Sequence, residues 1–359
     1  MAFIADRDLR RICAAVRVTV ARPGELGPDE AEVWSRFQQR SSVMLNPFLS
    51  LTFAKAIGRA RPNARVAVIE DDGRIEAFLA YELATRTIAR PIGWPMNNLQ
   101  GFISSGVPLD ARSIVRMAGL RGWRFDHALA EQQALDPFHY RRTSVRCREI
   151  DLSNGYEAYC KDRARSVPKK RARQRRALER QFGTVSLEWL SPSSEHLRQL
   201  MAWKSLKYYG AHELFSDPTA QQILEELAAT SNDDCGGILS VLLAGERPAS
   251  IHFGLASPRG ICGWFQAYDQ ELARYSPGTM MFFALAEEAA RRGIARIDLG
   301  YGQELYKFRL GTPSYTVAGG AVWATHAEAV GRAFYRRLVN TLLHRREQQP
   351  ELESGATTS

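Results

Sequence analysis

Three apolar runs, "GGILSVLLA" (236–244), "RPASIHFGLA" (247–256) and "GICGWFQAYD" (260–269), follow one another through "GERP" and "SPRG". Runs of this length, rich in β-branched and aromatic residues and joined by turn chemistry, predict an antiparallel meander. The chain then passes through "ARYSPGTMM" into an apolar helical stretch that ends near Gly293, and on into the strand-like "ARIDLGYG" (295–302). A meander followed by helix and strand constrains this half to a mixed, mostly antiparallel sheet flanked by helices.

Upstream, "GTVSLEWL" (183–190) alternates like a strand, and helices are predicted over 193–210 and 216–230, the latter started by Asp217-Pro218. Downstream come a short helix near "QELYKFRLG", a strand pair through "TPSYTVAGGAVWAT" and a closing helix from about Glu328 to Arg345. The first half repeats this order. A strand at Arg17–Ala21 precedes helices near 29–39 and 48–60. Strands at 65–70 and 74–85 follow, then "NNLQGFIS", a helix near 110–119 and strands near 123–129 and 143–151.

The fold class expected is therefore α/β (α+β). An N-terminal domain is placed at 1–151, a basic connecting helix at 152–182, a C-terminal domain at 183–345 and a disordered tail at 346–359. Two domains also suit a length of 359 residues.

Apolar residues at 45% suffice for packed cores, and no apolar run reaches the roughly 20 residues that span a bilayer. The arginine-interrupted N-terminus does not read as a signal peptide. Cys13, Cys147, Cys160, Cys235 and Cys262 are scattered, with no paired spacing that suggests zinc, so reduced thiols in a cytoplasmic protein and no metal are expected. The formal charge is +9, yet residues 161–180 hold ten Lys/Arg against two acids. That segment alone carries +8, so the chain has one basic segment on a nearly neutral body.

Ser276-Pro277-Gly278-Thr279 stands where the third strand gives way to the helix. Ser276 is expected as the cap and Pro277 as the first helical residue, and Gly278 removes a side chain where a ligand would touch backbone. The amides of Gly278, Thr279 and Met280 would then face a phosphate at the positive end of the helix, with Arg274 beside them. The same residues also make an ordinary helix start.

"YSPGTMM" followed by "ARIDLGYGQELYKFRLG" resembles GNAT-superfamily acyltransferases, more narrowly the CelD-like acetyltransferases of cellulose biosynthesis, relatives of the FemAB peptidyltransferases. "MAWKSLKYYG", "GERPASIHFGL", "IDLSNGYEAY" and "RRALERQFGTVSLEWL" extend the resemblance, as do "NPFLSLTF" and "NNLQGFI" in the first half. Where that family tends to place an acid directly after the glycine, this chain has Gln303, with Glu304 next.

The resemblance implies tandem GNAT-like domains, the first degenerate, with acetyl-CoA or another acyl-CoA held by the second. An amine or hydroxyl would attack the thioester directly, in exopolysaccharide, cellulose or cell-envelope assembly. It implies that main chain around Phe265, Gln266 and Ala267 pairs with the pantetheine arm and that Tyr306 protonates the leaving thiolate. Lys307 would meet a phosphate or an acidic acceptor, or pair with Asp298. His252, Glu304 and Asp269 are the candidate bases, and the residues do not choose among them. Each of these has a structural alternative: sheet pairing, packing or ion pairing. Trp203 and Tyr208 read as core or cleft wall, and Lys204 and Lys207 as a solvated face or an attraction for an anionic acceptor.

The acceptor is a small molecule, glycan or peptide. Nucleic acid is not expected, because residues 161–180 lack interleaved aromatics. That segment reads as a solvated helix or a contact with an anionic surface. Two alternatives stand beside acyl-CoA chemistry: a FemAB-like peptidyltransferase using charged tRNA, and a non-catalytic scaffold of the same fold.

Overall fold

The computed structural model describes residues 16–132, 134–135, 141–163, 167–206, 211–325 and 327–328. The closing helix expected over 328–345, the tail 346–359, and Cys13, Lys207, Tyr208 and Gly210 lie essentially outside these residues.

Strand β1 (Arg17–Ala21) is followed by helices α1 (Pro28–Gln38) and α2 (Leu51–Ala60). Asn46 and Ser50 accept hydrogen bonds from the Phe48 and Phe53 amides, which starts the 3-10 turn Pro47–Leu49 and then α2. Strands β2 (Ala64–Asp71), β3 (Arg74–Leu83), β4 (Ile88–Pro91) and β5 (Phe102–Ser104) come next. Helix α3 (Ala111–Met117) then leads to β6 (Gly122–Leu129) and β7 (Arg141–Asp151). The basic connection is two helices, α4 (Gly155–Arg163) and α5 (Val167–Phe182).

The second half runs β8 (Val185–Glu188), α6 (Ser194–Ser205), α7 (Ala211–Ser216), α8 (Pro218–Ala229) and β9 (Ser231–Asn232). The expected meander is β10 (Cys235–Ala244), β11 (Arg247–Ser257) and β12 (Gly260–Tyr268), paired antiparallel. A 3-10 turn over Gln270–Tyr275 leads into α9 (Pro277–Arg291), β13 (Arg296–Asp298), α10 (Leu305–Leu310) and β14 (Thr312–Trp323).

All of these strands belong to one 14-stranded sheet, twelve of them in the order β1-β2-β3-β4-β6-β14-β7-β13-β12-β11-β10-β8, with β5 paired to β3 and β9 to β10. The strand pair expected through "TPSYTVAGGAVWAT" is instead the single strand β14. Its Gly319-Gly320 step is a register shift between β6 and β7, not a turn. A β-carbon on Gly319 would lie 2.6 Å from Thr143 Oγ1, so the glycine serves close strand approach. The boundary expected at Asp151 falls where β7 pairs with β13, so the sheet continues across it.

One face of the sheet carries a core shared by both halves, in which Phe53, Ile57 and Phe78 cluster with Ile223, Leu224 and Phe253. On the other face α9 buries Met281, Phe283, Leu285 and Ala286 against Ile238, Ile261 and Ile297. Helix α3 does the same for the first half, with Ile114 and Val115 on Trp123 and Leu79. Burying side chains of this size stabilises by about 1.5–3 kcal/mol each, which is what fixes α9 across the sheet.

Candidate active site

Strands β12 and β13 run parallel only at Ile261–Cys262 opposite Ile297–Asp298. Beyond Cys262 they part. The partner strand β11 also shifts register there, between Phe253 and Gly254. The sheet therefore forks. Asp298 closes the base of the fork, where its carboxylate accepts from the Tyr315 hydroxyl at 2.6 Å and from the Gly300 amide at 2.7 Å. Burial raises the Asp298 pKa, against these hydrogen bonds and the positive charges of Arg259 and Lys307.

Beside the fork lies a cleft of about 280 Å³ lined by Trp203, Gln266, Tyr268, Gly278, Phe282 and Tyr306, among others. The Gln266 side chain donates from Nε2 to the Gly278 carbonyl at 2.7 Å, which ties β12 to the start of α9. A β-carbon on Gly278 would meet Tyr268 Cδ1 at 3.1 Å. The absent side chain keeps that entrance clear.

The entrance is built differently from the sequence expectation. Ser276 does not cap the helix through its side chain. It adopts φ 59° and ψ 49°, a left-handed conformation that costs a non-glycine residue about 1–2 kcal/mol. Its hydroxyl accepts from Gln174 Nε2 at 2.9 Å, so α5 holds it in place. Nor are all three first-turn amides free: Thr279 and Met280 both donate to the Ser276 carbonyl, at 3.1 and 3.2 Å. Gly278 has no backbone acceptor among the described residues.

Arg274 stands next to this entrance, exposed, but its guanidinium donates to Gln181 Oε1 at 2.8 Å and lies over the Tyr275 ring. The Tyr275 hydroxyl donates to the same oxygen. Helix α5 is thus stitched along the 3-10 turn by two polar residues, Gln174 inside the basic run and Gln181 just after it. Its Arg173, Arg176 and Arg180 are exposed.

Tyr306 lies in the cleft, stacked on Phe282 with ring centroids 5.3 Å apart. Phe265 stacks on Trp264 and meets Phe215 edge-on, and the Ala267 carbonyl accepts from Ser250. Trp203 forms cleft wall, and Lys204 donates to the Gln266 carbonyl at 3.3 Å. Pro277 and Met280 are buried in the first turn of α9.

Four candidates sit elsewhere. Lys307 is buried, with its ammonium donating to the Tyr301 carbonyl and 3.3 Å from Glu304, so it is engaged internally and away from the start of α9. Glu304 is exposed and serves that pair. Asp269 caps the 3-10 turn and pairs with Arg247. His252 is on the α9 face of β11, opposite Gln266, as strand alternation requires. It is nevertheless 1% exposed beneath Phe282, outside the cleft lining, with neither ring nitrogen hydrogen-bonded. Burial pulls its pKa down to about 4.

Sequence reading missed the residues that reach the fork from the first half. Trp264 Nε1 donates to the Met96 carbonyl at 2.8 Å, and His127 stacks on Tyr301. No local pattern signals either contact, because the partners lie in different halves, 168 residues apart for Met96 and Trp264.

Residues 165–308 match the acetyltransferase (GNAT) domain family. Over that stretch the chain is similar to GNAT acetyltransferase domains, and the cleft, the fork and α9 all lie within it or at its edge. No curated protein matches the chain. Among solved structures, FemX superposes with a TM-score of 0.56 at 10% identity, covering 88% of this chain and 99% of that one. A conserved Bacteroides thetaiotaomicron protein of unknown function gives 0.50 at 11% identity, covering 84% and 99%. A tandem GNAT protein from the clavulanic acid pathway gives 0.48 at 13%, covering 86% of this chain. At these identities the likeness is one of fold. Among the described residues no group of three or more His, Cys, Asp or Glu could hold a metal ion, and no helix is long and apolar enough to cross a membrane.

Proposed function

We propose that the protein transfers an acyl group from acyl-CoA to an amine or hydroxyl, with the donor held in the cleft between β12 and α9. The carrying observation is the fork: β12 leaves β13 after Cys262, and a cleft of about 280 Å³ opens beside it, at the start of a 15-residue helix. A strand edge without a neighbour offers main-chain groups to an amide-bearing arm. The start of α9 offers the Gly278 amide and the positive end of the helix to a diphosphate. Tyr306, within the same cleft, is the donor of a proton to the departing thiolate.

Calorimetry with acetyl-CoA tests the reading. Binding to the full chain is expected, weakened about tenfold or more by Gly278→Val, whose branched side chain would press on Tyr268 and enter the cleft. Unchanged affinity in that variant removes the diphosphate assignment. Tyr306→Phe is expected to slow turnover about 100-fold with little loss of acetyl-CoA affinity. A protein that ignores acetyl-CoA and binds tRNA with a steep salt dependence would instead be a FemAB-like transferase.

A further inference from the structure

Residues 96–98 of the first half reach both arms of the β12–β13 fork. On one arm, Trp264 Nε1 donates to the Met96 carbonyl at 2.8 Å. On the other, a β-carbon on Gly300 would lie 3.7 Å from Asn98 Nδ2. Behind this bridge β6 presents Asp126 and His127. The His127 ring stacks on Tyr301, the third residue past the fork's base, with centroids 3.5 Å apart and planes 22° apart.

The surroundings of His127 suit a ring carrying one more proton. The Asn97 carbonyl accepts from the ring, while the buried Nδ1 has no hydrogen-bond partner and stands 3.4 Å from Asp126 Oδ1. In the neutral ring, that nitrogen turns a lone pair toward a carboxylate. A proton added at Nδ1 would give both ring N–H groups an oxygen to face. Burial is the main effect that holds the proton off and lowers the pKa. The Asp126 carboxylate and the Asn97 carbonyl pull the other way, and the Lys307 ammonium adds to the lowering. Asp126 itself is open to solvent, its side chain 43% exposed, and it is aimed by two donors, Trp94 Nε1 at 3.1 Å and Gln100 Nε2.

We propose that Asp126 and His127 together take the proton of the attacking amine or hydroxyl, Asp126 meeting the acceptor and His127 holding the proton behind it. The inference rests on the acyl-transfer reading and assigns the acceptor side of the fork to the first half. The acceptor nitrogen or oxygen bonds to the acyl carbon and the carbon–sulfur bond breaks. The nucleophile's proton passes to Asp126 and on to His127 Nδ1, while the Tyr306 hydroxyl protonates the departing thiolate and is reprotonated from solvent. Asp126 is the catalytic residue and His127 the positioning residue.

The test uses the full chain, with acetyl-CoA as donor and hydroxylamine as a small nucleophile, scored as acetylhydroxamate across pH. The His127 ring is titrated by NMR in parallel. Turnover is expected to fall on the acid side as His127 becomes protonated. Asp126→Asn should slow it about tenfold or more, move the His127 midpoint further down and leave acetyl-CoA affinity unchanged. His127→Gln should slow turnover likewise and remove the acid limb. Full turnover in Asp126→Asn, a His127 midpoint that ignores that change, or acetyl-CoA binding without hydroxamate would each overturn the proposal. Melting curves check the folding of each variant. If Asp126→Asn does not fold, the titration of the unaltered protein decides: a His127 ring protonated at neutral pH overturns the proposal. Failure to bind acetyl-CoA at all would instead strike the acyl-transfer reading.

Discussion

In the first half β4 runs parallel to β6 over Ile88–Ala89 opposite Gly122–Trp123, and in the second β12 runs parallel to β13 over Ile261–Cys262 opposite Ile297–Asp298. Each pair then parts. In the first half the gap is refilled by the chain itself: Gln100 bridges Ala128, its backbone pairs with His127 and Leu129, and its side-chain oxygen accepts from the Asp126 and His127 amides. Next to Gln100 lies a void of about 10 Å³, lined by Pro91, Ile92 and Asn97 among others. In the second half residues 96–98 reach both arms, yet a cleft of about 280 Å³ stays open beside β12. The helices differ in step, α3 with 7 residues and α9 with 15. A sheet that splits exposes main-chain groups that must find partners. One half satisfies them internally, and the other keeps a cleft open beside them.

Three changes would break or sharpen this contrast. The largest concerns the seam between the forks, where Arg259, before β12, pairs with Glu149 of β7 while both side chains are nearly inaccessible. Arg259 also touches Ser42 and lies over Tyr315. Glu149→Ala leaves that guanidinium buried without its carboxylate and should cost about 3–5 kcal/mol in denaturant unfolding. A loss well below 1 kcal/mol would mean that the seam is held by the strands alone.

The next concerns the buried ring under the open fork. His252 has a folded pKa of about 4 against an ordinary value near 6.5, so the unfolded chain binds the proton more readily. Its share of stability is complete above pH 6.5 and is lost as pH falls through 4, about 3 kcal/mol in all. His252→Leu should flatten that part of the stability curve. A curve identical to that of the unaltered protein would show that the ring reaches water.

The smallest concerns the closed fork. Gln100→Ala removes the acceptor of two β6 amides and should cost about 2 kcal/mol, with acetyl-CoA affinity unaffected. Equal damage to affinity would mean that the two forks are coupled.

Much of this was legible in the sequence. Turn residues and alternation gave the meander and Arg17–Ala21, and the element order of both halves followed from periodicity. These signals are local. What failed was non-local: β14 was read as two strands because Gly319-Gly320 looks like a turn until β6 and β7 are known to flank it. The four residues Ile88–Pro91 and the closure by Gln100 carry no pattern of their own. At the site, alternation left His252 facing either the cleft or the opposite layer and could not reveal Phe282 above it. The αL cap at Ser276 depends on Gln174, about a hundred positions earlier, and Asp126 and His127 could not be tied to Tyr301 by any spacing.

Strand β14 comes from the far end of the described chain, yet it lies between β6 and β7, and β7 in turn borders β13. Lifting out residues 16–163 would strip β6 of one neighbour and β7 of both, baring strand edges ready to pair with another copy. The reciprocal fragment would lose the rung beside β13. Each piece would therefore expose strand edges that the whole chain keeps paired.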